Sequence, residues 1–169
     1  MKKNIISFAI FIFSILIISL TSCAMFDDYE KLCDEKIETI ISAATDNEPE
    51  SIKSLFSKNT IDSDEKFDEK VNEFIDFFEG TYQSYDSDGL YTSEDIDSNK
   101  VIKFHRISYD VFTTKYVYRI AFKWYSKDDY DNNNLGISSL YVTRLELNSN
   151  LDEAYWGDVS NSIGLFIEK

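Results

Sequence analysis

Lys115-Tyr116-Val117-Tyr118-Arg119-Ile120-Ala121-Phe122-Lys123-Trp124-Tyr125 alternates with a period of two. Tyr116, Tyr118, Ile120, Phe122 and Trp124 fall on one side of an extended chain. Lys115, Arg119 and Lys123 share the other side with Val117 and Ala121. Successive strand residues point to opposite faces, so this run predicts a β-strand with one covered aromatic face. One-sided cover of that kind belongs to an antiparallel sheet. Working outward, Val101 to Phe112 and Ile137 to Leu147 are also rich in β-branched and aromatic residues and read as neighbouring strands. Thr113-Thr114 is short enough to be a hairpin connection. In the first of these strands Ile102 and Phe104 share one face while Ile107, Tyr109 and Val111 share the other, which predicts a β-bulge near His105-Arg106. Ser87 to Ser98 and Asp128 to Asn134 are polar and read as loops. Ile163 to Ile167 reads as a short closing strand.

Upstream, the period changes to that of a helix. Phe67, Val71, Phe74, Ile75 and Phe78 recur on one face of a predicted helix from Glu65 to Glu79, with Asp62-Ser63-Asp64 as capping residues. Gly80 follows where a left-handed residue is wanted. Before it, Ile52, Leu55 and Phe56 mark a brief helix with Asn47 as its N-cap and Pro49 in its first turn. Cys33, Ile37, Ile40, Ile41 and Ala44 form the stripe of a first helix from Tyr29 to Ala44. Helices followed by strands is the order of an α+β domain in which helices pack on a curved antiparallel sheet.

At this point the chain resembles a known family. Ser54-Leu55-Phe56-Ser57, the Phe77-Phe78-Glu79-Gly80 helix exit, Leu140-Tyr141-Val142 after Gly136-Ile137, and Gly164-Leu165-Phe166-Ile167 are similar to the bacterial lipoprotein family of unknown function numbered 5104. The likeness spans roughly Glu30 to Glu168. It implies a cystatin-like, nuclear transport factor 2-like cone, with helices over a strongly bent sheet. That superfamily holds isomerases, dehydratases, cyclases and non-catalytic binding domains, so the fold alone assigns no activity. The resemblance also implies that a homodimer, if one forms, pairs through the convex face of the sheet.

The first residues are an address. Lys2 and Lys3 precede an apolar run from Ile5 to Leu20, interrupted only by Ser7, Ser14 and Ser19. Leu20-Thr21-Ser22-Cys23 resembles a lipobox, in which the cysteine sulfur receives a diacylglycerol and cleavage falls just before it. The run is shorter than the ~20 residues of a spanning helix, and acidic Asp27, Asp28 and Glu30 follow it. The expected organisation is a signal peptide over 1–22, a lipidated Cys23 with a tether to Asp28, and one domain over 29–169. Retention as an uncleaved anchor and plain secretion are the alternatives. A two-chain lipid holds firmly where one chain binds only marginally, so the expected location is the extracytoplasmic face of the cell membrane.

Charge narrows the partners. The whole chain carries a net charge of −14, and losing Lys2 and Lys3 with the signal makes the mature side chains −16. A basic patch, which nucleic-acid binding needs, is not expected. The 13 Phe and 11 Tyr argue for a packed core and against disorder. With Cys23 lipidated, Cys33 has no disulfide partner and is expected to be buried on its helix stripe.

Candidate chemistry is sparse. His105 is the sole histidine. With Tyr109 or Tyr118 it is the best available acid–base pair for a small isomerase or lyase moving a proton in the cone. Phe74, Tyr109, Tyr118 and Trp124 are the expected cone lining. Asp110 alternates away from Tyr109, toward solvent. There is no Gly-x-Ser-x-Gly elbow and no Gly-rich phosphate loop. Asp129-Tyr130-Asp131-Asn132-Asn133 starts like a calcium loop, but Asn134 replaces the required glycine and Leu140 the terminal glutamate. One histidine and one thiol do not close a zinc site. No metal and no cofactor are therefore expected. The favoured expectation is a non-catalytic module that binds a small molecule or protein at the membrane surface.

Overall fold

The computed structural model describes residues 28–145 and 164–168. The expected signal peptide, Cys23, the residues Ala24 to Asp27 that follow it, the end of the third expected strand and Ile163 lie outside the described residues. Two compact units divide the chain, Met1–Glu35 and Lys36–Lys169. In the first, residues 28–35 are helical and include the buried thiol of Cys33. No helix among the described residues is long and apolar enough to cross a membrane.

The helix that begins there, α1, runs over 28–46. Its stripe of Cys33, Ile37, Ile40, Ile41 and Ala44 is buried throughout, as the 3.6-residue spacing predicts. Asn47, expected as an N-cap, instead takes a left-handed φ of 58° just past the end of α1. Asparagine tolerates that conformation and so ends one helix instead of starting the next. Glu48 occupies the N-cap position of α2 (Pro49–Lys53) without a side-chain cap bond. The expected single short helix is two: after Phe56 the chain turns into α3 (Lys58–Asp62), capped by Ser57 accepting from the Thr60 amide.

The next helix, α4 (Phe67–Phe77), lies within the expected Glu65 to Glu79 and buries Phe67, Val71, Phe74, Ile75 and Phe77. Asp64 organises its start, accepting from the Lys66 and Phe67 amides at 3.0 and 2.9 Å through side chain and carbonyl. Lys66 holds the N-cap position itself, and Asp62 and Ser63 end α3, so of the expected caps only Asp64 serves α4.

Five strands form one open sheet in sequence order: β1 (Tyr82–Asp97), β2 (Lys100–Thr113), β3 (Val117–Asp128), β4 (Gly136–Arg144) and β5 (Gly164–Glu168). The first three pairings are antiparallel, but β5 runs parallel to β4. The sheet is therefore mixed, which corrects the purely antiparallel expectation. The expected loop from Ser87 to Ser98 is in fact most of β1. No residue of β1 is buried and most are exposed, so it lacks the apolar alternation that marks a strand in sequence.

The expected bulge near His105 is displaced as well. Odd residues of β2, from His105 through Ile107, Tyr109 and Val111 to Thr113, keep one buried phase without a break. The irregularity sits on the neighbours. Ser126 is the extra residue of β3, between the pairs Lys103↔Lys127 and Phe104↔Tyr125, and Asp88-Gly89 bulges on β1 opposite Ser108. Ile102 and Phe104 lie on the outer face, where Phe104 meets the Tyr91 and Tyr125 rings at 6.3 and 5.7 Å. Tyr118, Ile120, Phe122 and Trp124 of β3 face the core as the opening stretch predicts.

Candidate functional site

The inner face of β2 and β3 carries His105, Tyr109, Tyr118 and Trp124, with Phe74 on α4, and these residues fall into three separate groups. His105 pairs across to Trp124, and the two rings stack at 4.6 Å. Lys36 of α1 places its ammonium 4.4 Å above the same indole. The His105 Nδ1 lies 2.9 Å from Thr92 Oγ1, and Nε2 lies 2.8 Å from Ser126 Oγ. The imidazole is wholly buried. Burial, followed by the charges of Lys103 and Lys36, pushes its pKa down to about 4. The ring is therefore neutral at neutral pH.

Tyr109 forms the second group. It is fully buried, edge-on to Tyr85 at 5.4 Å and stacked on Phe122 at 6.0 Å. It lies four positions along β2 from His105, about 13 Å at the usual rise. The pair proposed for proton transfer is thus not assembled.

Tyr118 anchors the third group, under the exit of α4. Its hydroxyl donates to the Phe77 carbonyl at 3.0 Å and accepts from the Glu79 amide at 2.8 Å. Phe77 and Phe78 pack on its ring at 5.7 and 4.8 Å, and Phe74 on Phe78 at 6.2 Å. Burial raises the Tyr118 pKa. Beside it, Arg144 donates to the Phe77 carbonyl at 3.0 Å and to Glu79 Oε1 at 2.7 Å. Its guanidinium lies over the Tyr116 ring at 4.0 Å. Lys115 bonds the same glutamate, and the Lys115 ammonium, then Arg144, holds the Glu79 carboxyl below its usual range. These groups close the chain between α4, the β2–β3 turn and β4, a structural task.

Chemically, the His105 group comes nearest to a reactive arrangement. A hydroxyl at 2.8 Å from an imidazole nitrogen is within reach for proton exchange. A general base, however, must accept a positive charge, and here Lys36 and Lys103 oppose it while Thr92 supplies no carboxylate to balance it. A pKa near 4 is also far from the value that favours catalysis at neutral pH. Thr92 and Ser126 were not legible as partners. Thr92 lies in the strand mistaken for a loop, and Ser126 is brought to the ring by the β3 bulge.

Elsewhere, Asp110 faces outward as expected and takes a two-pronged hydrogen bond from Arg119 at 2.7 and 2.9 Å. In the acidic loop, Asp128 accepts from the Tyr130 and Asp131 amides and from Asn134, and Asp131 accepts from Asn59. Both carboxylates thus serve to hold the loop and dock it on α3. Among the described residues no three His, Cys, Asp or Glu side chains are grouped so as to hold a metal ion. An open groove of about 350 Å³ runs beside α1, lined by Glu38, Ile41, Ser42, Thr45, Asp46 and Tyr82.

Residues 39–145 match a family model described as a domain of unknown function, DUF5104. No curated protein matches the chain.

Proposed function

From the premise that the chain belongs to the DUF5104 family, we propose that it is a lipid-anchored, extracytoplasmic binding domain whose recognition takes place on its surface. The observation that carries this reading is where the polar tips of the inner face go. The Tyr118 hydroxyl is held between Phe77 and Glu79, and both His105 nitrogens are bonded to hydroxyls within the sheet. Phe67, Phe74, Phe78, Ile120 and Phe122 are buried around them. An interior used in this way holds the fold together, and ligands are left to the groove, the outer face and the sheet edge. The cystatin-like cone and the lipoprotein character belong to this proposal. They rest on the order of helices before the sheet and on the Lys2 to Cys23 pattern.

A thermal-shift screen of residues 24–169 tests the binding reading, because a ligand raises the midpoint by mass action. The expected hit raises the melting midpoint with no chemical change in the ligand. Turnover of a carbonyl substrate, lost in His105→Ala, would replace the reading with that of an isomerase or lyase.

A further inference from the structure

Among the described residues, β1 has a neighbour on one side only. It pairs with β2, and the sheet continues away from it through β3, β4 and β5. Two bulges interrupt its first half, but from Leu90↔Ile107 to Asp97↔Lys100 the register is unbroken. Ser98 and Asn99, which join it to β2, have φ of 51° and 69°, the left-handed pair of a type I′ two-residue hairpin. The residues flanking such a turn form a hydrogen-bonded pair, and bonded pairs then alternate along the ladder. Asp97, Asp95, Ser93 and Tyr91 therefore direct their backbone groups to β2. Ile96, Glu94, Thr92 and Leu90 direct theirs to the open edge.

An open edge is a template for another chain, and sheet proteins usually blunt it by shortness, lysine or proline. This edge is 16 residues long and contains neither proline nor any basic residue. Its charges are Asp86, Asp88, Glu94, Asp95 and Asp97, all exposed. Between them Tyr91 and Ile96 are 53% and 64% exposed.

We propose that the Leu90 to Asp97 edge docks an extended, basic segment of a partner protein, which adds to β1 as a further strand. This deepens the binding-domain reading and rests on it. In strand addition the main chain supplies affinity and alternate side chains supply specificity. Lysine or arginine on the incoming strand would lie across from Asp95 and Asp97 on one face. On the other, an apolar residue would cover Ile96. The net charge of −14 steers a cationic segment toward the domain. A second copy of this chain is the wrong occupant, because its acids would face these acids, and like charges directly opposite destabilise a pair.

The test uses the full chain in zwitterionic detergent and a capped synthetic decapeptide of alternating lysine and valine. Peptide binding is read by fluorescence anisotropy and by amide hydrogen exchange. The expected result is saturable, salt-weakened binding that newly protects the amides of Leu90, Thr92, Glu94 and Ile96. Ile96→Pro removes one outward N–H without touching the β2 ladder, and is expected to weaken binding at least fivefold with an unchanged circular-dichroism spectrum. Should that variant lose the spectrum, Asp95→Asn with Asp97→Asn serves instead, weakening binding about two- to fivefold per charge. Binding without protection of those four amides, undiminished binding to the folded variants, or no binding at all overturns the proposal. If the peptide fails while a ligand from the thermal screen still raises the midpoint, the edge is excluded and the binding-domain reading survives. If both fail, both readings fall.

Discussion

At the scale of single residues, His105 ties the core of the domain to pH. Its pKa of about 4 lies below the ordinary 6.5, so the unfolded chain binds a proton that the folded chain refuses between those values. Stability therefore rises with pH across that window and is lost as pH falls from 6.5 toward 4. At 1.36 kcal/mol per unit, the loss between pH 7 and pH 5 is about 2 kcal/mol. Urea unfolding at the two pH values measures it, and His105→Gln should flatten the difference. An unchanged pH slope in that variant would show that the proton binds elsewhere. Tyr118 makes a different prediction. Its hydroxyl serves two backbone groups, the Phe77 carbonyl and the Glu79 amide. Tyr118→Phe leaves the ring packing in place and strands the Glu79 amide, while the Phe77 carbonyl keeps its bond from Arg144, at a cost of about 1–3 kcal/mol. A loss below 0.5 kcal/mol in chemical denaturation would mean that water replaces the hydroxyl there.

At the scale of elements, one join between helices and sheet is made by the backbone. The Ile137 amide donates to the Leu55 carbonyl at 2.8 Å, and the Ser57 amide donates to the Ile137 carbonyl at 2.9 Å. Gly136 allows this approach. Its φ is +116°, and a Cβ there would lie 2.9 Å from the Ser57 nitrogen and 3.0 Å from the Leu55 oxygen. Gly136→Ala is expected to lower stability by more than the ~1–3 kcal/mol of backbone strain alone. Gly89→Ala supplies the comparison, since φ there is +74° but no atom lies within 4 Å of its Cβ. Equal melting temperatures for the two variants would refute the close-approach argument. The elements also show where sequence periodicity reaches its limit. The α1 stripe, the α4 face and the aromatic face of β3 were legible because burial imposes a period on them. β1 was not, because a strand exposed on both faces has no period to read. In β2, charged Lys103 stands on the inner face and Phe104 on the outer, so the apolar pattern mimicked a bulge. The parallel course of β5 has no signature in five residues. Of the site, His105 and Trp124 could be named from the sequence, but Thr92 and Ser126 reach the ring only through pairing and a bulge.

At the scale of the whole molecule, charge and anchorage oppose each other. A chain at −14, or −16 once Lys2 and Lys3 are lost, is repelled by anionic lipid and wall polymers, and at physiological ionic strength that repulsion extends about 8 Å. Nothing in the acidity would hold such a domain at a membrane, so under the proposed function the lipid on Cys23 alone supplies the attachment. A short tether belongs to the same proposal, since residue 28, five positions after the cysteine, is already helical. Radiolabelled palmitate should enter the wild-type protein and not Cys23→Ser, and the wild type should partition into the detergent phase. The variant should be missing from the membrane fraction as a processed species. A processed Cys23→Ser protein that stayed with the membrane would show that protein contacts hold it there, and the acidic surface would then need a cationic partner at the bilayer to explain its retention.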